Sequence, residues 1–290
     1  MPAILAAYRN GNYRVTLFAD GTKIKRTEED EFRAEFPDSI DLKITDYCEN
    51  DCPMCHESSS TLGRHGNLRH PIVDTFVAGI EVAIGGGNPL SHPDLVPFLE
   101  RLRSRGIIAN LTVNEIDLAK QQALVEGLLA RRLVHGLGVS TMRCTADTLA
   151  FAEAHPNVVL HLICGVYPPE EMELLRGKGL KVLLLGYKRF GKGATYHSPR
   201  VEANIRVTAA MLPELLRAFA VVSFDNLALE QLGVRAVLGD DYYESVYMGA
   251  DGEASMYVDL VAEQYALSST STARADLLPD LKQCFQRLPR

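Results

Sequence analysis

The sequence predicts an α/β fold, a partial (β/α)6 barrel with an N-terminal β-hairpin and a C-terminal α+β extension. Three observations carry that reading. From residue 39 onward, short apolar runs alternate with amphipathic stretches through six units, the pattern of parallel strands joined by right-handed helical crossovers. The strand runs are almost wholly apolar, which favours a curved or partly closed sheet over one with a solvated face. The two most unusual motifs directly follow the first and second runs, at the carboxyl edge where such folds place their sites. An open doubly wound sheet is the structural alternative.

Residues 1–37 read as a β-ribbon extension. Tyr13, Val15 and Leu17 alternate with polar residues, and Asp20-Gly21 marks a turn before residues 22–25. Residues 27–35 are acidic and polar, closed by Pro37 and Asp38. Residues 38–200 read as the barrel core. Ile40, Leu42 and Ile44 mark a first strand, followed by a cysteine-bearing loop and a short helix at 71–77. Residues 80–84 form a second strand running into Gly85-Gly86-Gly87-Asn88-Pro89. Leu95, Val96, Leu99 and Leu102 recur at helical spacing up to Gly106 as a C-cap. Strands at 107–113, 134–139, 158–166 and 180–185 then alternate with helices at 118–133, 145–154 and 169–178. Residues 201–290 read as a C-terminal extension and substrate lid. It holds a helix at 211–220, a strand at 221–224, a hairpin of 246–248 with 256–260, and a terminal helix at 277–288.

The 290 residues suffice for a substantial core, and 47% hydrophobic with 23% charged residues is ordinary for a globular enzyme. A net charge of −7 argues against non-specific affinity for nucleic acid or anionic membrane. No apolar run reaches the length of a membrane span, and the first residues lack the features of a signal peptide. A cytoplasmic location is expected. Cys144, Cys164 and Cys284 are scattered and solitary, which fits isolated thiols in a reducing compartment rather than a disulfide framework.

Cys48, Cys52 and Cys55 lie within eight residues, spaced C-x3-C-x2-C, on the loop that leaves the first strand. The spacing brings three thiolates to one point and supplies no fourth. Thiolates at this density suit an iron–sulfur cluster or zinc, the latter with His56 or a distant residue as fourth ligand. Polar or small residues end the other strands: Asn114 and Glu115, Ser140, Cys164, then Tyr187 and Lys188. If the strands are neighbours, these surround one cavity. Residues 187–193 lack the spacing and the hydroxyl residue of a nucleotide-hydrolysing loop, so Lys188 and Lys192 read as anion contacts or as a solvated basic loop. His161, in mid-strand, reads as an interior or cofactor-contacting histidine.

The cysteine spacing after a first strand, with Gly86-Gly87-Asn88-Pro89 after a second, resembles the radical S-adenosylmethionine (radical SAM) superfamily over residues 38–190. The resemblance implies a partial TIM-like barrel, one 4Fe–4S cluster on Cys48, Cys52 and Cys55, and S-adenosylmethionine at the fourth iron. It implies reductive cleavage of that cofactor to a 5′-deoxyadenosyl radical that abstracts hydrogen from a substrate, which can be a peptide, amino acid, nucleotide or nucleobase. An external one-electron reductant of the flavodoxin or ferredoxin type is the expected partner. Met54, Gly86, Gly87, Asn88, Pro89, Asn114, Ser140 and Lys188 are the implied cofactor contacts. Two positions depart from the family pattern: Met54 stands where an aromatic residue is common, and Asn88 where an acid is usual. Cys144 and Cys164 read as core or edge thiols, or as hydrogen donors to a carbon radical. The Asp251-Gly252 turn faintly resembles the C-terminal extension of peptide-modifying members. The competing class is a non-catalytic iron–sulfur carrier or sensor, which wants a fourth protein ligand.

Overall fold

The computed structural model describes residues 2–289. It opens with an antiparallel ribbon of β1 (Ile4–Asn10), β2 (Tyr13–Phe18) and β3 (Lys23–Arg26), in that spatial order. Tyr13, Val15 and Leu17 point inward and are buried, as their alternation requires. The strand β1 lay outside the expected hairpin, because its Leu5-Ala6-Ala7 stretch shows no period of two. Asp38 ties the ribbon to the rest. Its buried carboxylate accepts from Asn10 Nδ2 (2.8 Å), Tyr13 Oη (2.8 Å) and Tyr8 Oη (3.2 Å), and pairs with Lys25 Nζ at 2.9 Å. Burial, followed by that carboxylate, pushes both phenols well above the ordinary tyrosine range.

The main body is a mixed α/β structure around a ten-stranded sheet. Its strands are β4 (Ser39–Thr45), β5 (Glu81–Gly86), β6 (Ile108–Asn114), β7 (Gly136–Thr141), β8 (Val158–Ile163), β9 (Lys181–Leu185), β10 (Val221–Phe224), β11 (Ser255–Asp259), β12 (Gln264–Ala266) and β13 (Ala275–Asp276). The order is β10-β9-β8-β7-β6-β5-β4-β11-β12-β13, parallel from β10 through β11 and antiparallel beyond. Parallel neighbours need crossovers, and helices supply them: α1 (Leu95–Ser104), α2 (Glu115–Lys120), α3 (Gln122–Ala130), α4 (Ala146–Ala154), α5 (Pro169–Met172), α6 (Lys192–Tyr196) and α7 (Pro199–Ala218). The short α8 (Asn226–Gln231), α9 (Val234–Leu238) and α10 (Asp240–Val246) precede β11, and α11 (Leu281–Gln286) closes the chain. Ile40, Leu42, Ile44, Val82, Ile84, Leu111, Val139, Leu160 and Val182 line one face and join Leu99, Leu128 and Leu212 of the helices in one core. The other face carries Asp41, Lys43, Thr112, Ser140 and His161, alternating with that core as a strand dictates.

Several element expectations are corrected. The helix expected at 118–133 is two, α2 and α3, interrupted at Gln121. The helix expected at 169–178 stops at Met172 and continues only as a 3-10 turn, Glu173–Leu175, before Gly177 and Gly179 at positive φ. The helix expected at 211–220 begins at Pro199, where Ser198 accepts from Val201 N–H as N-cap, and Pro213 sits inside it. The hairpin of 246–248 with 256–260 does not form. Val246 ends α10, and β11 pairs in parallel with β4 instead. The run Met256–Leu260 is buried almost throughout, which suits an interior parallel strand better than a half-wet hairpin.

Asp38 gives the ribbon its testable weak point. Asp38→Ala leaves Lys25, Asn10 and two phenols without their acceptor, and unfolding free energy in urea should fall by about 3 kcal/mol. The urea dependence should keep its slope, since the surface buried is unchanged.

Candidate functional site

The site is built where the loops after β4 and β5 meet. Gly86, at φ +112, lies so close to the chain that a Cβ would stand 2.4 Å from Thr45 O. A Cβ on Gly87 would stand 2.2 Å from Tyr47 O. That approach lets Gly87 N–H donate to Thr45 O (2.7 Å) and Asn88 N–H to Tyr47 O (2.6 Å). Asn88 is buried, and its Oδ1 accepts from Leu90 N–H at 3.0 Å, capping the 3-10 turn Pro89–Ser91. This side-chain oxygen already serves the backbone.

The cysteine loop is fixed from three sides. Beneath it, the buried Lys43 ammonium holds Asp46 (2.5 Å) and Glu57 (2.7 Å) of the loop and Asp259 (3.4 Å) of β11. Burial pulls the Lys43 pKa down, but Glu57, Asp46 and Asp259 together hold it above the ordinary lysine range. Tyr257 Oη donates to Glu57 at 3.2 Å. Laterally, Asn50 Nδ2 donates to the buried Asp117 of α2 at 2.5 Å. From across the sheet, Lys192 N–H donates to Cys55 O at 3.0 Å, while its ammonium pairs with Asp51. A glycine is needed at 191, where φ is +53 and a Cβ would meet His56 O at 2.5 Å.

Cys48, Cys52 and Cys55 are all free and half-buried. Burial raises the Cys48 thiol and pushes Cys52 up to about 11, each reinforced by the neighbouring cysteines. Without metal, these two groups are therefore protonated at neutral pH, and a metal must displace their protons. Three free, mutually interacting thiols on an anchored loop fit an iron–sulfur cluster as a donor set. Among the described residues, no three His, Cys, Asp or Glu side chains are gathered to hold a single ion. A cluster takes each thiolate on a different iron, so such sulfurs stand apart.

The remaining expected residues spread along the same edge. Met54 is half-buried against the core, and a Cβ on Gly193 would lie 3.2 Å from its carbonyl. Asn114 caps α2, accepting from Ile116 N–H at 2.9 Å. It is in register with Ser140, which is in register with His161, so one row crosses β6, β7 and β8. The His161 ring lies over Gly138, where a Cβ would meet it at 2.2 Å, and burial holds its pKa down to about 4. Lys188 Nζ donates to Ser269 Oγ at 3.1 Å. Burial pushes the half-buried Cys144 up to about 11 and the buried Cys164 up to about 12, so neither is a ready thiolate. Sequence reasoning missed Lys43, Glu57, Tyr257 and Asp259. The available signal was a lysine inside the apolar run Ser39–Thr45.

No family model matches the chain, and no curated protein matches it by sequence. Its structure is similar to SuiB of Streptococcus suis. The SuiB structure bound to precursor peptide SuiA aligns with a TM-score of 0.63 and 11% identity over 87% of this chain and 65% of that one. SuiB bound to S-adenosylmethionine gives 0.57 and 12% over 88% and 65%. A third SuiB structure gives 0.57 and 13% over 87% and 66%. The chain thus shares the fold of SuiB while spanning about two thirds of the SuiB chain.

The His161 environment sets a pH dependence. The unfolded chain protonates a histidine near 6.5, but folded His161 does so only near 4. Between those values the unfolded state binds more protons, so stability falls as pH is lowered from 6.5 towards 4 and is flat from this source above 6.5. Relative to the parent, His161→Gln should gain about 1–2 kcal/mol on going from pH 7 to pH 5, read from urea midpoints. Parallel pH profiles for the two chains would refute the assignment.

Proposed function

We propose that this chain is a radical SAM enzyme built on a partial (β/α)6 barrel spanning residues 38–200. The ribbon of residues 1–37 covers one end, and residues 201–290 form a substrate lid. The observation that carries the reading is the backbone clamp of Gly86-Gly87 on the entry to a loop bearing three free cysteines. The contact of the loop after β9 with Cys55, on the far side of the sheet from β9 itself, supports a curved sheet closing round one cavity.

Cys48, Cys52 and Cys55 are the cluster ligands. They would hold a 4Fe–4S cluster, whose chemistry would be one-electron cleavage of S-adenosylmethionine for hydrogen abstraction from the substrate. The chain's own groups position and shield. Backbone carbonyls of Gly86 and Gly87 would meet the cofactor's methionyl end, since the Gly87 and Asn88 backbone amides are committed to Thr45 and Tyr47, with Pro89 fixing the turn behind them. Asn88 contributes through its amide nitrogen, since its oxygen caps the turn. Ser140 and Asn114 hold the ribose side, Met54 covers adenine, and Lys188 supplies a cation at the cavity wall. Cys144 or Cys164, both kept as thiols, is the hydrogen donor where the reaction needs one. The likeness to SuiB bound to precursor peptide SuiA favours a peptide substrate. A flavodoxin- or ferredoxin-type reductant and a cytoplasmic setting complete the proposal. Among the described residues, no helix is long and apolar enough to cross a membrane.

Anaerobic reconstitution tests this directly. With S-adenosylmethionine and dithionite, the chain should bind about four irons and release 5′-deoxyadenosine. Cys55→Ala should lose iron and nucleoside product together. Iron binding without any 5′-deoxyadenosine would instead indicate an electron carrier, and full activity of Cys55→Ala would overturn the cluster assignment.

A further inference from the structure

The sheet face turned away from the helices holds a carboxylate that the fold leaves without a partner. Asp41 lies on β4, in register between Tyr257 of β11 and Ala83 of β5. Water reaches it, yet protein surrounds it closely enough that burial lifts its carboxyl pKa, with Lys188 opposing and Asp251 and Asp225 reinforcing the shift. Its charged neighbours are committed elsewhere. Lys43 holds Asp46, Glu57 and Asp259. Glu81, one step below on the same face, pairs with Lys23 of the ribbon at 2.6 Å and accepts from Asn110. Asp225 accepts from Gly186 and Ala228 N–H, Asp251 accepts from Asn226, and Lys188 donates to Ser269. Asp41 alone of this group makes no hydrogen bond and no ion pair among the described residues.

A carboxylate that protein surrounds and only water meets offers an unshared charge to a cation brought by a ligand. The Tyr257 ring beside it already accepts the Arg274 guanidinium at 5.1 Å, so this wall suits cations on its aromatic face as well. Asp41 sits four residues below Thr45 on the strand, about 13 Å from the edge that carries the cysteines. The ribbon closes the floor through Lys23–Glu81 and through Lys181 Nζ donating to Asp20 O at 2.9 Å. A long side chain reaching down this face from the strand carboxyl edge would meet Asp41 above that floor. We propose that Asp41 is the recognition point for a basic side chain, a lysine ammonium or arginine guanidinium, of a peptide substrate. This inference rests on the enzyme reading only in calling the ligand a substrate.

Ligand-observed NMR on the full chain without cofactor tests it, using N-acetyl-lysine amide and N-acetyl-arginine amide against neutral N-acetyl-norleucine amide and anionic N-acetyl-glutamate amide. The two basic amides should bind at least tenfold more tightly than the norleucine amide, and the glutamate amide more weakly still. Asp41→Asn should bring the basic amides to the norleucine level while leaving the thermal midpoint within a few degrees. Lys188→Met, which removes the opposing cation, should tighten binding of the basic amides and decides the matter if Asp41→Asn does not fold. Equal binding of the norleucine amide, unchanged binding by Asp41→Asn, or no tightening by Lys188→Met would overturn the proposal. Each of these outcomes is independent of 5′-deoxyadenosine formation, so failure here and failure of the enzyme reading are separable.

Discussion

The close approach of Gly87 to the Tyr47 carbonyl is the constraint on which the site depends. Two backbone hydrogen bonds, from Gly87 and Asn88 to the carbonyls of Thr45 and Tyr47, join the end of β5 to the start of the cysteine loop. Any side chain at 87 would drive these segments apart, since its first carbon would overlap a carbonyl oxygen. The clamp fixes where the cysteine loop departs from the sheet. It thereby fixes where three thiols face the open edge of the strands. Local rigidity of this kind places a reactive centre more accurately than a free loop can.

Electrostatics completes the anchoring. A lysine inside the sheet is expensive unless its charge is met, and Lys43 is met by carboxylates from the loop and from β11. The network therefore joins two segments some two hundred residues apart in the chain, with Tyr257 adding a hydrogen bond to Glu57. Removing one member would strand the others, which makes the arrangement specific even where its net contribution to stability is small. Asp117 plays a similar part for Asn50, and Lys192 for Asp51 and the Cys55 carbonyl. Each anchor comes from a different strand–helix unit. The loop's position is thus a property of the whole sheet.

The same face shows how charge is distributed below the site. Most charged groups there are paired with neighbours from distant strands, and the ribbon supplies the closing cation at Glu81. Asp41 differs in having its opposing charge, Lys188, engaged with a serine hydroxyl.

The sequence by itself determined the parallel α/β body, because buried parallel strands are continuous apolar runs and their helices carry a 3.6-residue period. It also determined the cysteine cluster and the glycine turn, since both are local in the chain. Only the tertiary structure decided the parallel docking of β11 against β4, the full length of α7, and the partners of Lys43 and Asn88. A strand such as Ser255–Asp259 reads alike whether its partner is the next strand or one two hundred residues away. A lysine or aspartate in an apolar run likewise carries no mark of which charges will face it. Those partners exist only once the sheet has brought distant strands together, because hydrogen-bonding and ion pairing depend on proximity in space, not along the chain.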